Sequence, residues 1–289
     1  MSASTQIIPI VKVNHTQSTR TDAKIAIEEP LEIKLEYGPV DKRVIQKISV
    51  MMRTPGHDAE LATGFLFTEA VIKNADDVQS ARHISAAGTE DNRNAILLSL
   101  APETEPHFQN TGFNFSTVGE GAVSAVRTLS PFAGQPDDTV LHGDLLYLLP
   151  DILRRHQRVL DEAAGLDVSA LFTPVGELLL LRQDIDRHNA LDKIIGAAMM
   201  YNWLPLKQTI LLLSGRVGFK LVQKAAMAGI SIIVAVGAAS SLAIQLAKEF
   251  DITLIGLLSA SQFNIYAGAH RVLLPVDRVG LNNNLADEG

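Results

Sequence analysis

The sequence predicts a layered α/β fold containing parallel βαβ units. Three observations carry that prediction. In the last third, apolar runs of strand length alternate with amphipathic runs of helix length. The chain has 289 residues, enough for one large or two modest domains and a core that needs no metal or disulfide staple. Its composition, 47% hydrophobic, 20% charged and 5% aromatic, is that of an ordinary globular protein.

The elements follow in order along the chain. Residues 1–22 are rich in Ser, Thr and Gln and read as a flexible tail, whose apolar patch Ile7 to Val13 is at most a peripheral strand. Leu31 to Glu36 and Val44 to Met52 have strand patterning, the second ended by Thr54, Pro55 and Gly56. Asp58 is placed to cap a helix whose Leu61, Phe65, Leu66 and Ile72 recur at helical spacing. Lys73 to Arg93 is polar and loop-like, Ala95 to Leu100 is strand-like, and Pro102 to Gly121 has little periodic signal. A long irregular stretch in a compact chain is more often functional than accidental. Residues 23–130 thus make a smaller N-terminal portion, and the turn-rich Pro131 to Asp138 opens an α/β domain over 131–289.

In that domain Leu145 to Ala164 reads as a helix started or interrupted near Pro150, followed by a hairpin of Val168 to Phe172 and Leu178 to Arg182. Leu191, Ile194, Ile195 and Ala198 mark the buried stripe of the next helix. Strands at Gln208 to Leu213, Ile230 to Val236 and Ile252 to Leu258 then alternate with helices at Val217 to Met227, ended by Gly229, and Leu242 to Phe250.

Composition also excludes. With no cysteine, the chain has no disulfide framework, zinc ribbon, iron–sulfur cluster or thiol nucleophile. A formal net charge of -7 argues against a general grip on nucleic acid, which needs a cationic face. No apolar run approaches the ~20 residues of a membrane helix, and the N-terminus lacks a secretory pattern, so the cytoplasm is the default compartment. No GxSxG elbow, P-loop or dinucleotide fingerprint is present.

In parallel α/β sheets ligands bind in the loops beyond the carboxyl ends of strands. Three such loops stand out: Ser214, Gly215 and Arg216; Gly237 to Ser241; and Ser259 to Asn264. The first two lead hydroxyls and small residues into helix N-termini, where free amides and the helix dipole favour an anion such as phosphate, and Arg216 adds a fork-shaped donor. The plainer reading is that Ser240 or Ser241 caps a helix and Gly215 makes a turn. A second cluster runs from Arg182 to Lys193. There His188 and Asp192, four residues apart, suit a metal pair or an acid/base pair, or else Asp186 or Asn189 caps the helix and His188 bonds to backbone. His57, His107, His142 and His270 show no ligand spacing.

Several longer stretches carry a resemblance. MRTPGHDAELATGFLFTEAVI (Met52 to Ile72), RQDIDRHNALDKIIGAA (Arg182 to Ala198), SGR (Ser214 to Arg216), LVQKAAMAGI (Leu221 to Ile230) and FNIYAG (Phe263 to Gly268) resemble, in colinear order, signatures of the formate dehydrogenase accessory sulfurtransferase family, FdhD. The resemblance spans about Glu28 to Arg271. It implies a cytidine-deaminase-like three-layer α/β/α arrangement and a homodimer. It also implies a role in taking persulfide sulfur from a cysteine desulfurase to the molybdenum or tungsten bis-guanine-dinucleotide cofactor of formate dehydrogenase. The ligand would be that cofactor or GDP. The residues expected to contact it are Ser214, Gly215, Arg216, Ser240, Ser241, Leu257, Leu258, Ser259, Ala260, Ser261, Gln262, Asn264, His188 and Asn189.

The chain departs from the family where sulfur is carried. The CxxC-type pair of the family falls near Thr117 or Val118 and Glu120 or Gly121, none of which has a thiol to form a persulfide. The usual GGLH reads Ala164, Gly165, Leu166 and Asp167, and Ser259 and Gln262 stand where arginines are frequent, which lowers anion affinity there. The expected function is therefore cofactor binding or delivery without intrinsic sulfur transfer. The alternatives are an inactive partner subunit of a true sulfurtransferase, or transfer with a thiol from another protein. A zinc deaminase would need an HxE motif and cysteines that the chain lacks.

Overall fold

The computed structural model describes residues 4–85, 93–108, 126–160 and 165–274. The N-terminal segment holds two strands, where the sequence suggested a tail with at most one. β1 (Thr5–Val13) and β2 (Ser18–Ala26) form an antiparallel hairpin. Its turn closes on Asn14, whose Oδ1 accepts from the amides of Thr16 and Gln17 at 3.0 and 2.9 Å, a side-chain mimic of a backbone turn.

β3 (Glu29–Tyr37), β4 (Val44–Arg53), β5 (Val78–His83) and β6 (Ala95–Leu100) build a four-stranded sheet in the order β4-β3-β6-β5. Leu31, Ile33 and Leu35 point inward and are fully buried, while Glu32 faces outward between Lys34 and Lys47, each at 3.2 Å. β5 lies inside the polar stretch expected to be loop. Its partner β6 is buried along its whole length, so pairing with that strand outweighs the poor strand propensity of β5.

α1 (Asp58–Thr68) differs from expectation at its start. The capping position is His57 in a left-handed conformation with no side-chain cap, and the Asp58 carboxylate turns instead to Arg53. β7 (Leu141–His142) leads directly into α2 (Gly143–Leu160), which runs through Pro150 rather than starting or breaking there. The apolar stripe Leu146, Leu149 and Leu153 is buried and holds α2 against the sheet despite the helical hydrogen bond that proline removes.

β8 (Asp167–Phe172), β9 (Leu178–Asp184), β10 (Ile210–Leu213), β11 (Ile232–Ala235), β12 (Thr253–Gly256) and β13 (Asn264–Ala267) form one sheet ordered β13-β12-β11-β10-β8-β9. The β10–β11 and β11–β12 pairings are parallel and the other pairings are antiparallel, so the sheet is mixed. A last short strand, β14 (Val272–Leu273), pairs with β7. Val168, Ala170, Phe172, Ile210 and Leu212 join the α2 stripe on one face. Leu171, Leu211, Leu213, Ile233 and Leu254 join α3 (Arg187–Met200), α4 (Phe219–Met227) and α5 (Ser241–Glu249) on the other. Gly229 ends α4 as expected: its positive φ of 75° lets the amides of Gly229 and Ile230 reach the Ala226 and Ala225 carbonyls.

α1 packs on α3, and there the two halves of the chain meet through backbone. A Cβ on Gly64 would lie 1.9 Å from the Asp192 carbonyl oxygen, and one on Gly196 would lie 1.8 Å from that of Glu60. No other residue fits at either position. Around this crossing runs a buried ionic network. Arg53, 1% exposed, takes Asp58 in a two-pronged pair at 3.0 and 3.1 Å. Lys193 joins Asp184 at 2.7 Å and donates to the Thr54 carbonyl at 2.9 Å. Lys224 donates to both Asp192 oxygens at 2.8 and 2.9 Å, and Thr68 Oγ1 gives Asp192 a further bond at 2.9 Å. Each buried charge thus has a partner, as burial requires.

Candidate functional site

Strand direction decides which loops share an edge. β9 is antiparallel to β8, which is antiparallel to β10, so two reversals leave β9 running with β10, β11 and β12. Four strands therefore send their carboxyl ends to one side. The N-termini of α3, α4 and α5 and the turn before β13 all open there, and the cluster at Arg182 to Lys193 joins the three glycine- and serine-rich loops.

Backbone hydrogen bonds fasten those loops together. Gly237 N donates to Gly215 O at 3.1 Å, Val217 N to Ala238 O at 3.0 Å, Ser240 N to Val217 O at 2.9 Å and Leu257 N to Gly237 O at 3.0 Å. Gly237 permits this approach, since a Cβ there would stand 2.6 Å from the Arg216 amide nitrogen. The third loop is a tight turn in which Ser259 Oγ accepts from the amides of Ser261 and Gln262 at 3.3 and 3.1 Å.

The candidate side chains divide by what they touch. Arg216 is exposed and makes no ion pair among the described residues. Ser240 caps α5 by accepting from Ala243 N at 3.2 Å, and Ser241 is exposed beside it. Gly215 is part of the first turn. Ser214 Oγ is engaged internally, accepting from Val168 N at 2.8 Å and donating to Asp167 Oδ1 at 3.3 Å. Leu257, Ala260, Ser261, Gln262 and Asn264 are exposed on the third turn or its exit, with Ser259 half-buried; Leu258 points into the core. Asn189 faces the junction, its Nδ2 donating to Met52 O at 2.8 Å and Asp184 Oδ1 at 3.2 Å. Thr117, Val118, Glu120 and Gly121 lie outside the described residues.

The pairing of His188 with Asp192 is not built. Asp192 is consumed by Lys224 and Thr68, and no cluster of potential metal ligands occurs among the described residues. Asp186 caps α3, its Oδ1 accepting from the amides of His188 and Asn189 at 2.6 and 3.4 Å. Burial holds the His188 imidazole below its usual pKa, against the pull of Asp186 and with help from the charges of Lys224 and Lys220. Its ring is therefore neutral near neutrality. Among the described residues, the buried side-chain polar atoms without a hydrogen-bond partner are His188 Nδ1 and Ser169 Oγ. Ser169 is registered opposite Leu213, the last residue of β10, so both atoms belong to this edge. Native interiors rarely leave such atoms unpaired.

Two further participants are not among the expected contacts. Asp167 opens β8, and Arg187 opens α3; Arg187 Nε lies 3.7 Å from Asp167 Oδ2, while its Nη1 donates to the Arg216 carbonyl at 3.4 Å. In the sequence, Arg187 lies within the Arg182 to Lys193 cluster, and Asp167 stands out as the replacement of a histidine common in the resembling family. Other clefts lie away from this edge. One of about 340 Å³ is lined by Phe132, Asp137, Phe250 and Arg271 at the amino ends of β11 and β12, where Arg271 is taken by the Asp251 carboxylate and the Asp137 carbonyl.

The comparisons agree with this architecture. The FdhD/NarQ family profile matches residues 26–273. A relative from Streptomyces avermitilis named "Sulfur carrier protein FdhD" is 42% identical over 268 residues, covering 89% of this chain and 91% of its own. One of the same name from Sulfurisphaera tokodaii is 34% identical over 266 residues, covering 92% and 98%. The crystal structure described as that of a formate dehydrogenase accessory protein from Desulfotalea psychrophila superposes with a TM-score of 0.69. It is 20% identical and covers 94% of this chain and 100% of its own, a likeness of fold. With a mixed α/β fold shared along its length and its signatures assembled at one junction and one sheet edge, this chain belongs to the FdhD/NarQ family.

Proposed function

We propose that this protein binds the guanine-dinucleotide form of the molybdenum cofactor in the maturation of formate dehydrogenase, and that it handles this cargo without carrying sulfur. The reading places it in the cytoplasm as a homodimer of cytidine-deaminase-like layers, serving formate dehydrogenase. The observation that carries it is the convergence at one edge of an unpaired guanidinium, three helix N-termini and two buried polar atoms without partners. Amides at helix N-termini and an arginine fork suit the phosphates of a guanine dinucleotide or GDP. Ser259, Ser261, Gln262 and Asn264 offer hydroxyl and amide groups to the base or ribose.

The donor set fits the nucleotide and does not fit sulfur carriage. A persulfide needs a thiolate, and the chain has no cysteine. A cysteine desulfurase consequently finds no acceptor on this chain. Titration of the purified protein with GDP in a calorimeter tests the reading. Saturable binding with one nucleotide per chain is expected; an absence of heat at millimolar GDP overturns it.

A further inference from the structure

The loop holding Arg216 is itself held, and by a pair that the list of expected contacts omits. Asp167 accepts the Ser214 hydroxyl at 3.3 Å and faces Arg187 Nε at 3.7 Å, while Arg187 Nη1 donates to the Arg216 carbonyl at 3.4 Å. A Cβ on Gly215 would meet Asp167 Oδ1 at 2.9 Å and Arg187 Nη1 at 3.7 Å, so the carboxylate and guanidinium flank the turn closely. The Arg187 side chain is about one-third exposed.

We infer that Arg187 is a second phosphate-binding cation of this edge and that Asp167 is its positioning residue. The inference rests on the nucleotide-binding reading and deepens it. Arg187 and Arg216 then form two guanidinium arms on either side of the first turn. Asp167 fixes the first arm through Nε and the turn through Ser214, and the exposed part of the Arg187 guanidinium reaches the ligand. A carboxylate near an anion site also repels, but this one is paired with Arg187 and partly solvated, so repulsion is worth only about a few-fold in affinity. Losing an ordered, charge-assisted donor costs about tenfold or more. Positioning therefore outweighs repulsion.

The experiment is GDP titration of the full chain and four variants: Arg187→Ala, Arg187→Lys, Asp167→Ala and the double Ala variant, with melting temperatures recorded for each. Wild type binds GDP. Arg187→Ala weakens binding about tenfold, Arg187→Lys recovers only part of that, and Asp167→Ala weakens it by about fivefold at an unchanged melting temperature. In the double variant the Asp167 effect disappears, because the group it positions is gone. A purely structural role for Asp167 would instead multiply the two losses, which overturns the positioning assignment. Tighter binding by Asp167→Ala overturns it in favour of repulsion. Wild-type binding that is indifferent to Arg187 overturns the second arm while sparing the nucleotide reading, whereas no wild-type binding removes both.

Discussion

Two regions of this protein carry the sequence signatures, and they use polar residues in opposite ways. At the crossing of α1 and α3, every buried charge is matched: Arg53 with Asp58, Lys193 with Asp184, Lys224 with Asp192. At the carboxyl edge of the six-stranded sheet, Arg216 has no ion pair and two buried polar atoms have no hydrogen-bond partner among the described residues. Satisfied networks fix a geometry, while unsatisfied groups are retained where something else completes them. The comparison separates residues that belong to the signatures because they join the halves from those placed to meet a ligand. Asn189 illustrates the point, since its position in a signature suggested a ligand contact and its amide is used on Met52 O.

The junction should break hardest. Lys224→Met removes the cation that Asp192 and Glu69 share and leaves a buried carboxyl group with Thr68 and a second acidic side chain beside it. A loss of about 3–5 kcal/mol is expected in urea unfolding. A loss under about 1 kcal/mol would show that Asp192 is not held as a charge by Lys224. Gly196→Ala comes next. Its methyl would meet the Glu60 carbonyl at 1.8 Å, and separating two packed helices to admit it costs about 3 kcal/mol. Unchanged stability there would mean that α1 and α3 are not in backbone contact.

The edge should answer differently. Arg216→Ala touches no internal bond of its side chain, so unfolding stability should stay within about 0.5 kcal/mol, while GDP affinity falls about tenfold for a lost charge-assisted contact. A variant that unfolds easily yet binds normally would reverse the assignment of the two regions.

Much of this organisation was legible in the sequence because period and punctuation are local. The strands of the last third and the stop at Gly229 followed from neighbouring residues, and the caps were narrowed to Asp186 or Asn189 and to Ser240 or Ser241, of which the structure uses Asp186 and Ser240. What was hidden depends on partners far along the chain. β5 exists because β6 offers a buried edge, Asp58 leaves the cap because Arg53 is beside it, and Asp192 leaves His188 because Lys224 arrives from α4. The same holds for the site. The three loops could be found from topology, but Arg187 and Asp167 joined it only once two antiparallel pairings had turned β9 to run with β10.

The mildest prediction tests whether the junction extends to its solvent-facing flank. Glu60 on α1 meets Arg182 on β9, Oε2 with Nε at 2.5 Å and Oε1 with Nη2 at 2.7 Å, and His57 Nδ1 stands 3.3 Å away. Burial alone would raise this carboxyl group, yet the bonds from Arg182 and His57 prevail and lower it from 4.5 to about 2. A carboxylate whose folded pKa is depressed contributes its stability fully above the unfolded value and loses it as pH falls toward the folded one. The Glu60 contribution is therefore intact above about pH 5 and fades between about pH 4.5 and pH 2. Unfolding curves of wild type and Glu60→Gln should differ most near neutrality and converge across that window. Asp137 and Asp251, also held below the usual carboxylate range by their bonds to Ser231 and Arg271, titrate in both proteins and drop out of the difference. A gap that stays constant with pH would mean that the glutamate acts by packing alone, and that charge matching ends with the fully buried pairs.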